Sequence, residues 1–307
     1  MIQFILTFLC AGLLALSNAH ARNITMILAN PPGSTSDILA RSFVEVYHKI
    51  TGNVITLDHR PGGNHMVAAA AFRNSGPDTI LFGTSTIHVY NPILEKNLPY
   101  NDNDFRHVAV VAYGPAFYIT KSDSGLRTPE DLVNKLPQSA QPFVGGYAMA
   151  YNLSVDILNK RTNAANRLQV INYKGGPAVT TDVIGKHVPV GLLSATANTF
   201  QMVKEGHLHI IGSTHHSDIS YEGIRIPSVS KVLGVPQTSG AYYVSVKPDV
   251  DPMFLADFQK NAKLVLESDA MKSTIEKAVT LKSDLFGHNA VVKDIQRFRE
   301  TVKQISN

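Results

Sequence analysis

The chain has 307 residues, with Lys+Arg 28 against Asp+Glu 24, one cysteine, no tryptophan and 44% hydrophobic residues. A single cysteine excludes an internal disulfide and a Cys-built zinc or iron–sulfur site, and 17% charged residues is too few for a disordered polyelectrolyte. A net charge of +4 permits anionic ligands but falls short of the basic stripe a nucleic-acid partner requires, and the length suits two domains or lobes.

Ile2 to Leu16 are nearly all apolar and uncharged, and the run ends in Ser17-Asn18-Ala19-His20-Ala21. Ala19-x-Ala21 is a small-x-small cleavage pattern, so residues 1–21 are predicted as a signal peptide cut before Arg22, with an uncleaved anchor as the alternative. Cys10 leaves with that segment, and the expected product is a soluble protein exported across one membrane.

Strand and helix signals then alternate. Ile24 to Ala29 reads as a buried strand closed by Asn30-Pro31-Pro32-Gly33. Ser36 and Asp37 offer N-caps to a helix through Ile38, Leu39, Phe43, Val44 and Tyr47, stopped by Gly52. A strand over 54–57, a small-residue helix over 66–72 and a strand over 79–83 follow. Val108 to Thr120 is a β-rich run interrupted by Gly114-Pro115. Thr128-Pro129 opens a helix, then come a strand over 143–147, a helix over 148–160, a strand over 168–172 and a helix over 178–184. Further strands are expected at 188–193, 208–211 and 242–246, and amphipathic helices at 252–268 and 290–305. This alternation predicts an α/β protein built on parallel sheets with crossover helices. No linker separates two halves, which fits two lobes that share strands.

Ligands bind such sheets outside the carboxyl ends of the strands. Four loops there are rich in Gly, Ser, Thr and Asn: Pro32 to Asp37, Gly62 to His65, Gly83 to Thr86 and Gly145 to Ala148. Several run into helix N-termini, whose free N–H groups and partial positive charge suit a carboxylate or phosphate. None carries a nucleotide-binding signature.

The order of motifs resembles the extracytoplasmic solute receptors of the tripartite tricarboxylate transporter family, the Bug-type receptors. The resemblance rests on Pro32-Gly33-Ser34-Thr35-Ser36-Asp37 with Ala40-Arg41, then Arg60-Pro61-Gly62-Gly63 and Pro77-Asp78. It continues through Leu98-Pro99-Tyr100, Asp104-Phe105, Thr128 to Leu132, Tyr173-Lys174-Gly175-Gly176 and Ile226-Pro227-Ser228-Val229. It implies a type II periplasmic binding protein fold: two lobes with two crossovers, closing on ligand like a hinged clamp. The lobes are expected over 22–113 with 238–307, and over 114–237. It also implies a small organic carboxylate as ligand, membrane transporter subunits as partners, no cofactor and a monomeric receptor. Carried over position by position, the ligand-binding residues are Gly33, Ser34, Thr35 and Asp37, then Asn64 and His65, Ser85 and Thr86, and Tyr147, Ala148 and Met149. Ser34, Asn64 and His65 stand where the family usually has glycine, so the pocket is expected to be smaller or differently satisfied.

Asp37 also fits a helix cap, and Tyr113, Phe117, Tyr147 and Tyr151 leave aromatic ligands open. His207 and His209 alternate on a strand near His215 and His216, a weak candidate metal site. A sensor for a signalling partner is an alternative function. An exported hydrolase is a lesser one: Ser85 or Ser34 beside His65 would imitate a Ser–His pair, but no G-x-S-x-G or H-E-x-x-H motif is present.

Overall fold

The computed structural model describes residues 23–162, 167–236 and 238–306, so the expected signal segment with Cys10 lies outside the described residues. Among the described residues no helix is long and apolar enough to cross a membrane.

In chain order the strands are β1 (Asn23–Leu28), β2 (Val54–His59), β3 (Thr79–Thr84), β4 (Arg106–Pro115), β5 (Phe117–Lys121), β6 (Phe143–Gly146) and β7 (Gln169–Asn172). They continue as β8 (Val190–Leu193), β9 (Leu208–Ser213), β10 (Ile219–Tyr221), β11 (Ile224–Ile226), β12 (Ser239–Val246) and β13 (Leu281–Lys282). The longer helices are α1 (Thr35–Thr51), α2 (Met66–Arg73), α3 (Met149–Asn159), α4 (Gly176–Ile184), α5 (Ala197–Lys204), α6 (Pro252–Glu267), α7 (Asp269–Lys277) and α8 (His288–Ser306).

The strands form two large sheets, one per lobe. The first runs β13-β4-β12-β3-β1-β2 and the second β7-β6-β8-β5-β9. Each contains a parallel trio, β2-β1-β3 and β7-β6-β8. The expected parallel strands with crossover helices are these trios, and each sheet adds antiparallel strands that the alternation did not indicate: β12 lies antiparallel to β3 and β4, and β5 antiparallel to β8 and β9. The predicted run from Val108 to Thr120 divides near its Gly114-Pro115 interruption. Pro115 ends β4 in the first sheet, and Phe117 begins β5 in the second.

The α1 face Leu39, Phe43, Val46 and Tyr47 is buried at helical spacing, and Phe43 and Tyr47 pack on Phe258 of α6. Ser34, rather than Ser36 or Asp37, caps α1, its hydroxyl accepting the Asp37 N–H. Gly52 ends the helix in the left-handed region at φ 74°. The helix expected from Thr128 is a single turn, Asp131–Asn134. Asp131 turns back to accept the Arg127 and Thr128 N–H groups, and a separate 3-10 turn over Leu136–Gln138, with Pro137 at its start, follows in place of a longer α-helix. The largest buried cluster spans both lobes, joining Tyr147, Tyr151 and Leu193 to Tyr90, Tyr243 and Val291.

Candidate functional site

The parallel trios bring their carboxyl ends to one interlobe cleft. β1 ends in Ala29-Asn30-Pro31-Pro32-Gly33, and Gly33 at φ 79° turns the chain into α1. The Gly33 N–H donates to Asp37 Oδ2 at 2.8 Å. β3 runs through Thr84 and Ser85 into a π turn over Thr86–Tyr90, a geometry common at functional sites. From the second lobe, β6 leads through Tyr147 and Ala148 into α3, and Ser194 follows the end of β8.

These segments enclose a cavity of about 40 Å³. Asn30, Ser34, Thr35, Ser36, His65, Thr84, Ser85, Thr86 and Tyr90 line it from one side, and Tyr147, Ala148, Ala150, Tyr151 and Ser194 from the other. Gly240, Ala241 and Tyr242 of β12 complete it. A second cavity of about 210 Å³ adjoins, and Ser34, Thr35, Tyr147 and Ser194 line both.

No Asp, Glu, Lys or Arg is among the described residues lining the inner cavity. Its polarity comes from hydroxyls, amides and helix ends. The first N–H groups of α1 and α3 have no intrahelical acceptor, and Ala148 gives α3 no side-chain cap. α3 therefore turns a partial positive charge toward the cleft, whereas in α1 the Ser34 cap and the Asp37 carboxylate of the first turn offset that end. The buried Thr35 Oγ1 has no hydrogen bond of normal length and angle among the described residues; the Tyr242 phenol is only a weak neighbour. Ser194 joins the lobes. The Tyr242 hydroxyl donates to Ser194 Oγ at 3.2 Å, Tyr151 Oη lies 3.1 Å from the same oxygen, and the Ser194 N–H donates to Tyr147 Oη at 3.2 Å. Burial, reinforced by neighbouring tyrosines, raises the pKa of Tyr151 and Tyr242, so both phenols remain donors. Burial pushes His65 down to about 4.

Seven of the eleven residues named from sequence line this cavity: Ser34, Thr35, His65, Ser85, Thr86, Tyr147 and Ala148. Four do not. Gly33 borders only the adjoining cavity. Asp37 is buried behind the turn with both oxygens engaged, Oδ1 by His59 at 2.8 Å and Oδ2 by the Gly33 N–H and Arg41 Nε. Burial alone would raise the Asp37 pKa, but the Arg41, Gly33 and His59 hydrogen bonds outweigh it and hold the carboxyl below its usual range. Asn64 faces Glu95, 3.5 Å from Oε1, and Met149 Sδ accepts from Asn152.

The four candidate metal histidines form no metal-capable group of three or more among the described residues. His209 Nε2 meets the Arg127 carbonyl at 2.9 Å, His207 lies beside Glu205, and His215 is engaged with Ser217. The Ser–His resemblance also dissolves: His65 bonds Thr84 and Asn30, while Ser85 Oγ accepts the Ala241 N–H.

The sequence reading missed Asn30, Tyr90, Ala150, Ser194 and the β12 residues. Ser194 closes a predicted strand, so the strand-end rule alone would have found it. Gly240 to Tyr242 reach the cleft on an antiparallel strand far along the chain, with no local signal.

The sequence profile of the tripartite tricarboxylate transporter family receptors matches residues 39–281. The chain belongs to that family. It is 26% identical over 282 residues to BugT of Bordetella pertussis, covering 87% of this chain and 83% of BugT. A UPF0065 protein of Bordetella bronchiseptica is 29% identical over 218 residues, covering 69% of this chain and 64% of that protein, so the match spans less than two thirds of its length. Among solved structures, MatC from Rhodopseudomonas palustris with bound malate superposes with TM-score 0.82 at 14% identity, covering 94% of this chain and 100% of MatC. A Rhodopseudomonas palustris protein with adipate gives TM-score 0.82 at 17% identity, covering 94% and 97%. The periplasmic binding protein BugD gives 0.80 at 16%, covering 93% and 98%. At these identities the likeness is one of fold: the two-lobed type II periplasmic binding protein.

Proposed function

We propose that this receptor captures a small organic carboxylate between its lobes and delivers it to a tripartite tricarboxylate-type membrane transporter. The observation that carries the reading is the inner cavity: built from both lobes, free of side-chain charge, and lined by hydrogen-bond donors beside two helix N-termini. A carboxylate needs acceptor-matched N–H and O–H groups, and neutral donors supply them without a buried cation. The malate and adipate seen in two structural neighbours are of the same chemical class. One carboxylate seats in the inner cavity, and the rest of the molecule extends toward the adjoining one past Thr35 and Ser194. The ligand contacts are Ser34, Thr35, Ser85, Thr86, Tyr147 and Ala148 together with Asn30, Thr84, Tyr151, Ser194 and Tyr242, while His65 lines the cavity with both ring nitrogens engaged by Asn30 and Thr84. The lobes take residues 22–113 with 238–307 and 114–237, and the mature protein acts in the periplasm as a monomer after loss of residues 1–21.

A thermal-melting screen against mono-, di- and tricarboxylates tests this. A ligand at a hundred times its Kd adds about 2.7 kcal/mol to stability, a rise of about 5 °C for a chain of this size. A midpoint unmoved by every carboxylate in the panel would contradict the assignment.

A further inference from the structure

His65 sits in an unusual backbone. Gly62, Gly63, Asn64 and His65 all have positive φ, at 124°, 55°, 48° and 67°. Glycine adopts this region freely, whereas Asn and His occupy it at a cost that the surrounding structure must offset. The outlier delivers a buried imidazole to the wall of the inner cavity.

The ring's partners fix its proton. The Ser36 hydroxyl donates to Asn30 Oδ1 at 3.0 Å, which turns the Asn30 amide nitrogen, a donor only, toward His65 Nε2 at 3.3 Å. Nε2 must accept, so the single proton of the neutral ring sits on Nδ1. That nitrogen lies 2.7 Å from Thr84 Oγ1. With Thr84 Oγ1 accepting from the ring, the Thr84 hydroxyl keeps its own proton to donate elsewhere, and Thr84 lines the cavity.

We propose that His65 is a positioning residue. Its Nδ1–H holds Thr84 so that the Thr84 hydroxyl points into the cavity as a donor, making this end of the pocket selective for a carboxylate oxygen over an amide NH₂. The inference rests on the receptor reading for its ligand, but the ring's arrangement is measurable without one.

The test is ¹⁵N NMR of the histidine rings in the mature protein, with acetate and acetamide as isosteric probes. The expected spectrum shows His65 neutral, as the Nδ1–H tautomer. Acetate is expected to shift the His65 and Thr84 signals and to bind about tenfold or more tighter than acetamide. His65→Gly relieves the backbone and should cut the preference for acetate over acetamide about threefold or more. Thr84→Val should do the same while leaving the backbone at 65 untouched. An Nε2–H tautomer, or a selectivity unchanged in both variants, overturns the proposal. An Nδ1–H ring with no response to acetate instead sinks the receptor reading at this cavity and leaves the hydrogen-bond chain standing.

Discussion

The Thr35 hydroxyl is buried at the start of α1, at the boundary between the inner and adjoining cavities. Removing a polar group that has no full partner changes stability little, whereas a ligand oxygen bonded to it would lose a contact. Thr35→Ala should therefore melt within about 1 kcal/mol of wild type yet bind its carboxylate about fivefold or more weaker, read by calorimetric titration. A second residue-scale prediction concerns acid. Burial holds His65 neutral with a pKa of about 4, and burial with the neighbouring His288 brings His107 to about 3. The unfolded chain takes up these protons near pH 6.5, so this stability is complete above pH 6.5 and lost as the pH falls. His65 alone amounts to about 3 kcal/mol by pH 4. Calorimetric melting should show a midpoint that drops steadily below about pH 6, and His107→Gln should flatten the fall. At this scale the sequence was legible where polar residues follow a strand end, as with Ser34, Thr35, Ser85 and Thr86. It left Asp37 open between two roles, because a carboxylate in an N-terminal turn is as well suited to hold the turn as to face a ligand, and the partners His59 and Arg41 that engage it in the turn lie outside the loop.

The turn that carries Asn30 to Gly33 also makes a contact between lobes. A Cβ added to Gly175 would stand 2.5 Å from Pro31 Cγ and Cδ, and Gly33 lies against Pro177. Gly175 is at φ 172°, extended backbone open to any residue, so its need for glycine is purely the approach of a rigid proline ring from the other lobe. Gly175→Ala should hold the lobes apart. Small-angle scattering would show a larger radius of gyration, and ligand affinity would fall about tenfold. Unchanged scattering and affinity would show that the contact plays no part in closure. Among elements, α1 was readable from its 3.6-residue apolar spacing and from Gly52. The hairpin of β10 and β11 was not, because its turn places Glu222 and Gly223 at φ 48° and 81°, and glutamate is an uncommon occupant there. α5 and α7 escaped because they are short, with few apolar residues to set a period.

The two sheets share one plan. The orders β2-β1-β3-β12-β4 and β7-β6-β8-β5-β9 each set an antiparallel strand between the third parallel strand and the next. No sequence repeat accompanies this likeness. The alternation of strands and helices revealed the α/β class, and Gly114-Pro115 marked the first passage between sheets, but the antiparallel strands depend on pairings that no local pattern encodes. β12 pairs with β3 and β4 across the intervening second lobe, and only the tertiary fold brings Tyr242 to Ser194. Gel filtration of the mature protein should give a single species of monomer size, with or without carboxylate. The receptor reading is reached most directly through its own chromophores. The chain has no tryptophan, and Tyr90, Tyr147, Tyr151 and Tyr242 line the inner cavity. Intrinsic tyrosine fluorescence, titrated with a panel of small carboxylates, should show a saturable change with at least one of them, and Ser194→Ala should shift that curve to higher concentration. A flat response to the entire panel, from a protein with a normal melting transition, would contradict carboxylate capture in this cleft.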